Sequence, residues 1–385
     1  KLASNSRVVS ITVADTAANI AKRWSLMNRL ADSLTAVEVT DGASNAIKIS
    51  ADQLALGDPL LGKFSVADGA GFSLAITGAR AGQAAQIAAL DRVDSVSVAD
   101  SADNIAANFD DLQDVAADGR LQAVAVTGKK TTLTLDATRL LGDEAGATQG
   151  VLDRLSNRNV GLAVTGASLG AIDDLAGNSR VVSLAFNASS NEIEEKLDAL
   201  QQLGRRLGSI DQSDDGTALD LTQAQFHSRA AVLAKVTGGY TVNLSEASAG
   251  KALIDAMNAR VASIAVADSG RNIAANWRSL RAIGDTLAGI AQTDDAPLSL
   301  TAANYLGGQN DGLVGKFSAS QRFTLTAATV DEAQQVASDD AVETVNVRDE
   351  GSTVTARLTD LATLADGGKL GQIVLTPGTT RLSMA

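Results

Sequence analysis

Apolar and polar residues alternate in five short runs spaced almost evenly along the chain: VVSITV from Val8, VDSVSV from Val93, VVSLAF from Val181, VASIAV from Val261 and VETVNV from Val342. A period of two with frequent β-branched residues predicts a half-buried β-strand in each. Every run leads into a related octapeptide: VADTAANI from Val13, VADSADNI from Val98, FNASSNEI from Phe186, VADSGRNI from Val266 and VRDEGSTV from Val347. The Asp-Ser/Thr step predicts a helix start, since a carboxylate or hydroxyl there accepts an N–H that the first turn leaves unpaired. The third copy has Asn187-Ala188 at this step and keeps Ser189 and Ser190 behind it.

The periodicity then changes. Ile20, Trp24, Met27, Leu30 and Leu34 are spaced by three and four, as are Ile273, Trp277, Leu280, Ile283 and Leu287. That spacing puts them on one face of an amphipathic helix, here called the main helix. Phe109, Leu197 and Leu358 stand where the two tryptophans stand, so the slot reads as a core plug beneath a sheet.

A second strand, AVEVT from Ala36, is followed by a short polar turn and a third, AIKIS from Ala46; the short turns predict hairpins. A weaker helical segment follows, with Leu54, Leu60 and Leu61 in one copy and Phe226, Val232 and Leu233 in another. A fourth strand comes next, as FSLAI from Phe72, VGLAV from Val160, YTVNL from Tyr240 and FTLTA from Phe323, and then an Ala-rich linker helix such as RAGQAAQIAAL from Arg80.

Taking Asp15, Asp100, Ala188, Asp268 and Asp349 as equivalent gives units of 80 to 88 residues. This is longer than simple solenoid repeats of about 20 to 47 residues and leaves room for a small domain in each. The units are residues 8–92, 93–180, 181–260, 261–341 and an incomplete 342–385, with 1–7 as the end of a preceding unit, because LASNSRVVS from Leu2 nearly repeats LAGNSRVVS from Leu175. The expected fold is thus an α/β (α+β) tandem array whose units run β-α-β-β-α-β plus a linker helix. That is a ferredoxin-like succession, packed into an elongated rod. The alternative is a continuous α/β superhelix in which neighbouring units share one sheet. The cut edge of the incomplete fifth unit is expected to invite pairing with another chain unless the neighbouring unit covers it.

Composition narrows the class. The chain is 45% hydrophobic but only 3% aromatic, so its core is built of small and aliphatic side chains. Its formal charge of -13 repels phosphate backbones and anionic lipid surfaces, which argues against a nucleic-acid partner. It has no cysteine, hence neither disulfides nor thiolate metal sites. No apolar run approaches the ~20 residues of a membrane span.

The strings VADTAANI, VADSADNIAANFDDLQ and VADSGRNIAANWRSL, with the YTVNL and FTLTA strands, resemble tandem repeats of very large secreted and cell-surface proteins of alphaproteobacteria and relatives, classed as adhesin-like or as calcium-binding proteins of hemolysin type. The resemblance covers the whole chain. It implies type I export, an extracellular or cell-surface location and a structural or adhesive role. The nonapeptide calcium motif GGxGxDxUx of that group does not occur here.

Candidate chemistry is sparse, and no catalytic, cofactor-binding or metal site is assigned. The single histidine, His227, excludes centres that need several imidazoles and reads as a surface or partly packed residue of the minor helix. The pairs Asp110-Asp111, Asp173-Asp174, Asp214-Asp215 and Asp294-Asp295 read as turn and helix-end residues rather than glycosidase carboxylates. The turns Thr40–Asn45 and Ser213–Thr217 carry oxygen ligands of the kind calcium prefers, whereas the second unit has Gly128-Lys129-Lys130 there. Asn19, Asn104 and Asn272 recur at one helical position and Asn108 and Asn276 at another; each is expected to bond a nearby backbone group. Gly170 and Gly250 belong to no phosphate-binding motif. These features point to a non-enzymatic structural segment of an extracellular bacterial protein, serving as adhesin stalk, surface layer, matrix or filament. Its expected partner is itself, by head-to-tail assembly. The alternative is a module that binds surface polysaccharide or another polymer through glycan or calcium contacts.

Overall fold

The computed structural model describes residues 10–42, 44–55, 58–66, 72–141, 150–214 and 216–376. The chain divides into two compact units, Lys1–Asn187 with Leu203–Ser209, and Ala188–Gln202 with Ile210–Ala385. The strands of the first unit are β1 (Ile11–Asp15), β2 (Leu34–Val39), β3 (Ile47–Ser50), β4 (Phe64–Val66), β5 (Leu74–Ala79), β6 (Val93–Ser101), β7 (Leu121–Thr127), β8 (Thr132–Asp136), β9 (Gly161–Ala167) and β10 (Val181–Ala188). They run side by side as β1-β2-β4, β3-β5-β6-β7 and β8-β9-β10.

β11 (Leu207–Gln212) begins in the first unit and ends in the second, which continues with β12 (Leu219–Thr222), β13 (Val236–Thr237), β14 (Val242–Ala247), β15 (Val261–Asp268), β16 (Leu287–Gln292), β17 (Leu298–Thr301), β18 (Phe323–Ala328), β19 (Val342–Asp349) and β20 (Leu370–Leu375). Its sheets run β12-β14-β15-β16 and β17-β18-β19-β20, and β13 lies along β11 through Ile210 and Val236.

The expected hairpins do not form. β2 and β3 lie in different sheets, as do β7 and β8, and β16 and β17. Every registered pair among the described residues is parallel, as in β1 with β2 and β5 with β6. The turn residues supply the reason. The N–H of Thr40 donates to Asp15 O at 3.0 Å and Asp41 Oδ1 accepts the N–H of Ala17 at 2.9 Å, so the chain leaving β2 is anchored over its own main helix. Ser213 and Thr293 repeat the first bond to Ala188 O and Asp268 O, each at 2.9 Å. The third strand therefore begins beside a different sheet, where Ile47 and Ile49 are buried against the fourth strand β5. Strands from residues 8–92 and 93–180 thus share the sheet β3-β5-β6-β7, in a mixed α/β fold of parallel sheets.

The main helix is also shorter than its apolar series. Ala17–Arg29 is capped by Leu30, a 3-10 turn occupies Ala31–Ser33, and Leu34 opens β2, just as Leu287 opens β16. Two apolar periods simply meet at these leucines. In the third copy the main helix runs unbroken over Ser190–Leu203, whereas others are broken, as Ala102–Ala107 and Phe109–Ala117 around Asn108, and as Gly270–Ala275 and Trp277–Arg281 around Asn276.

Trp24, Phe109, Leu197 and Trp277 fill the plug position, all at most 2% exposed, but Leu358 is 38% exposed. Full burial of one such side chain contributes about 1.5–3 kcal/mol relative to exposure. Trp24 stacks on Phe64 at 5.7 Å and Trp277 on Phe317 at 5.9 Å, and each indole N–H donates to a carbonyl, Gln53 O or Asn304 O, at 3.0 Å. One linker helix, Ile172–Gly177, ends on a basic cap: Arg206 donates to Ala176 O at 2.9 Å, where the last-turn carbonyls and the helix dipole favour a cation.

Candidate functional site

The recurring corner is the most elaborate polar arrangement in the chain. Asp15, Asp268 and Asp349 are the last residues of their β-strands and Asp100 the last but one of β6, and the residue after each is the N-cap of the main helix. One carboxylate oxygen accepts the backbone N–H of that cap, from Thr16, Ser101, Ser269 or Glu350, at 2.8 Å in all four. The same oxygen accepts the amide of Asn19, Asn104 or Asn272 at 2.7–2.8 Å. The recurrent asparagines therefore bond a side chain, not the backbone group expected of them. Asn108 and Asn276 do bond backbone, donating to Asn104 O and Asn272 O at 2.8 Å.

The second oxygen reaches further. Asp100, Asp268 and Asp349 accept the first N–H of a linker helix, from Ala81, Ala249 and Val330, each at 3.0 Å. One carboxylate thus caps two helix starts, where both sets of unpaired N–H groups and both dipoles favour negative charge. The hydrogen bond from Asn19, then that from Thr16, holds the Asp15 carboxyl below the usual range. At Asp100 and Asp268 burial pushes upward, but the donations from Asn104 or Asn272 and from the two backbone N–H groups together outweigh it.

A second carboxylate arrives from the turn after the second strand. Asp41, Asp214 and Asp294 accept the first helical N–H of Ala17, Ser190 and Gly270 at 2.9–3.0 Å. The hydroxyl of Ser190 also donates to Asp214, and this bond is the main cause of the lowered carboxyl there. The residues offered by sequence as calcium ligands therefore have oxygens aimed at helix N–H groups, and a cation must compete with those donors. Lys130 instead reaches Asp103 at 2.6 Å. Where Ala188 replaces the strand-end Asp, Glu192 takes over by accepting from Ser189 N–H and hydroxyl, both at 2.8 Å. No group of three or more His, Asp or Glu side chains converges on a metal position among the described residues.

The remaining acidic pairs are dispersed. Asp110 and Asp111 lie in the first turn of Phe109–Ala117, with Asp110 paired to Arg139 at 2.8 Å; Asp173 and Asp174 lie in the first turn of Ile172–Gly177. Asp215 falls outside the described residues.

His227 does belong to a built polar cluster, with partners the sequence pattern did not single out. Its Nε2 lies 3.0 Å from an oxygen of Asp255, which is only 4% exposed. Gln223, 8% exposed, donates to Asp255 Oδ2 at 2.5 Å and accepts from the N–H and hydroxyl of Ser248 at 3.1 Å. The signal was a mismatch between repeats: Gln223 stands where others have Ala51, Ala137 and Ala302, and Asp255 where others have Ile87, Leu175 and Val336. The cluster joins the helix Gln223–Ser228 to the linker helix Ala249–Ala256. In the next repeat Tyr305 of the helix Ala302–Asn310 donates instead to Asp339, which lies just past the linker helix Val330–Gln335, at 2.6 Å, and burial raises its phenol above the ordinary range. In the first copy the space between these helices holds a cavity of about 460 Å³ lined by Leu54, Leu61, Phe72, Ile87 and Leu90. Here a repeated helix pair is bridged in different ways.

No family model, curated protein or solved structure matches the chain. No helix among the described residues is long and apolar enough to cross a membrane.

Proposed function

We propose that the chain is a non-enzymatic structural segment of a large extracellular bacterial protein, built to add length by stacking. The observation carrying this reading is the strand-end aspartate. At three positions its oxygens bond donors from the linker helix before it and the main helix after it, so polar capacity is directed into joining elements. Sheets shared between sequence repeats fit the same role, because each repeat needs its neighbour to cover its strands. The acidic surface favours solubility of such an array.

Electron microscopy of the purified chain, with whole-repeat deletion, tests the reading. A stalk or filament element predicts elongated particles, shortened but still folded when residues 181–260 are removed. Collapse of the whole chain on that deletion, or hydrolysis of a polysaccharide by the purified protein, overturns it.

A further inference from the structure

We propose that the cavity of the first copy is a binding site for one small, uncharged aromatic molecule, held between the helix Ala51–Ala55 and the linker helix Ala84–Ala88. Such a site goes beyond the stacking role, which needs no ligand.

The same helix pair recurs in the third and fourth copies, where side chains of the chain itself span it. Leu54 is the fourth residue of its helix, as Phe226 and Tyr305 are of theirs. Counted from the first linker residue, Ala81, Ala249 or Val330, Ile87 corresponds to Asp255 and Val336, and Leu90 to Asn258 and Asp339. In the fourth copy the Tyr305 ring is fully buried, packs edge-on against Phe323 with centroids 4.9 Å apart and donates to Asp339 at 2.6 Å. Phe323 and Leu74 hold one register, opposite Val342 and Val93. The first copy therefore has a leucine at each end of the span, Leu54 and Leu90, and neither the ring nor the carboxylate. Residues further along the helix serve the main helix instead: Arg229 pairs with Asp198 at 2.7 Å, and Gly308 lies against Trp277.

The space that the fourth copy gives to a phenol ring is, in the first, a cavity of about 460 Å³, within the range of small-molecule sites. Leu54, Phe72, Leu74, Ile87 and Val93 line it, with Leu90, 49% exposed, at its rim. An apolar space of this kind takes an aromatic molecule, because its lining lacks dispersion partners and offers water few hydrogen bonds. The charged residues around it are Asp52, Asp91 and Arg92, and the Arg92 guanidinium already lies 4.5 Å over the Phe72 ring. An anionic ligand would meet both carboxylates. A cationic one would find them only at exposed positions, where an ion pair contributes little, so the lining selects a neutral ring.

The test uses the full chain with naphthalene and toluene as probes and 1-naphthoate as the charged analogue. One naphthalene should bind per chain, saturably, with slowed amide exchange across residues 51–55 and 84–90, and 1-naphthoate should bind about tenfold more weakly or worse. Two variants fill the space as the other copies do. Leu54→Tyr with Leu90→Asp rebuilds the fourth copy's pair, and Leu54→Phe, the milder change, takes the third copy's residue. Each should weaken naphthalene binding about tenfold or more while urea unfolding stays cooperative. No saturable binding of either arene overturns the proposal, as does undiminished binding in both filled variants or protection confined to other repeats. Equal affinity for naphthalene and 1-naphthoate overturns the choice of a neutral ligand.

Discussion

A methyl group on Gly308 would stand 2.6 Å from Cζ2 of Trp277. The helix Ala302–Asn310 passes over the indole that plugs the fourth repeat, and only a residue without Cβ permits the approach. Gly308→Ala should therefore destabilise the chain by overpacking, about 1–3 kcal/mol, although alanine is the better helix former. A lowered urea midpoint checks this. Gly315→Ala, where nothing lies within 4 Å of the added carbon, is the control.

The bulge before each linker helix makes a second, graded prediction. Gly78, Gly166, Glu246 and Ala327 all have positive φ, between 53° and 69°. Gly78→Ala meets open space, so its cost should be that of the left-handed backbone alone, about 1 kcal/mol. Gly166→Ala also brings Cβ within 2.8 Å of Asp136 Oδ2 and should cost more. Ala327→Gly should be neutral or stabilising. Thermal midpoints that fail to fall in the order Ala327→Gly, Gly78→Ala, Gly166→Ala contradict this account.

Gln223 and Asp255 form a buried polar pair at positions that other repeats fill with Ala and an aliphatic residue. Gln223→Ala alone removes a donor from a buried carboxylate and should cost about 1–3 kcal/mol. The double change Gln223→Ala with Asp255→Ile restores the aliphatic pattern and should recover most of that loss, since an apolar replacement of a buried polar pair is often neutral or better. A double-mutant cycle on urea unfolding measures the difference.

The acid response has a definite sign. Asp15, Asp100, Asp214 and Asp268 have carboxyls held below their ordinary range in the folded chain. Unfolding returns them to about 4, so the unfolded chain binds protons first and stability falls as acidity increases. Their contribution is complete above about pH 4 and disappears as pH drops through the lowered folded values. Asp100→Asn with Asp268→Asn should flatten the fall of the thermal midpoint below pH 4. At pH 7 the double variant should be less stable, because each carboxylate accepts hydrogen bonds on both oxygens and the amide keeps only one acceptor oxygen for those donors. An unchanged acid profile argues against these carboxylates as the source.

Much of this molecule is written locally. The strand runs, the Asp-Ser/Thr caps and the tryptophan plug are legible because each depends on a few adjacent residues: a period of two, a carboxylate one step before a helix, a large side chain on the apolar face. Asp100 is such a case, since its bonds to Ser101 and Asn104 lie within one turn. Its bond to Ala81 comes from 19 residues upstream, and no local pattern announces it.

Sheet membership lies on the other side of that line. Ile47 and Ile49 alternate in the same way whether β3 folds back on β2 or joins β5, so the period identifies a strand but not its partner. Asp41 decides the matter by gripping the start of the main helix and turning the chain away. Gln223 and Asp255 are similar: each alone reads as a surface residue of a short helix, and only their meeting 32 residues apart makes them buried. The amino-acid pattern thus dictated the elements, their order and their caps, which short-range sterics and hydrogen bonding control. Which strands became neighbours, and which polar groups were enclosed between helices, followed from long-range packing.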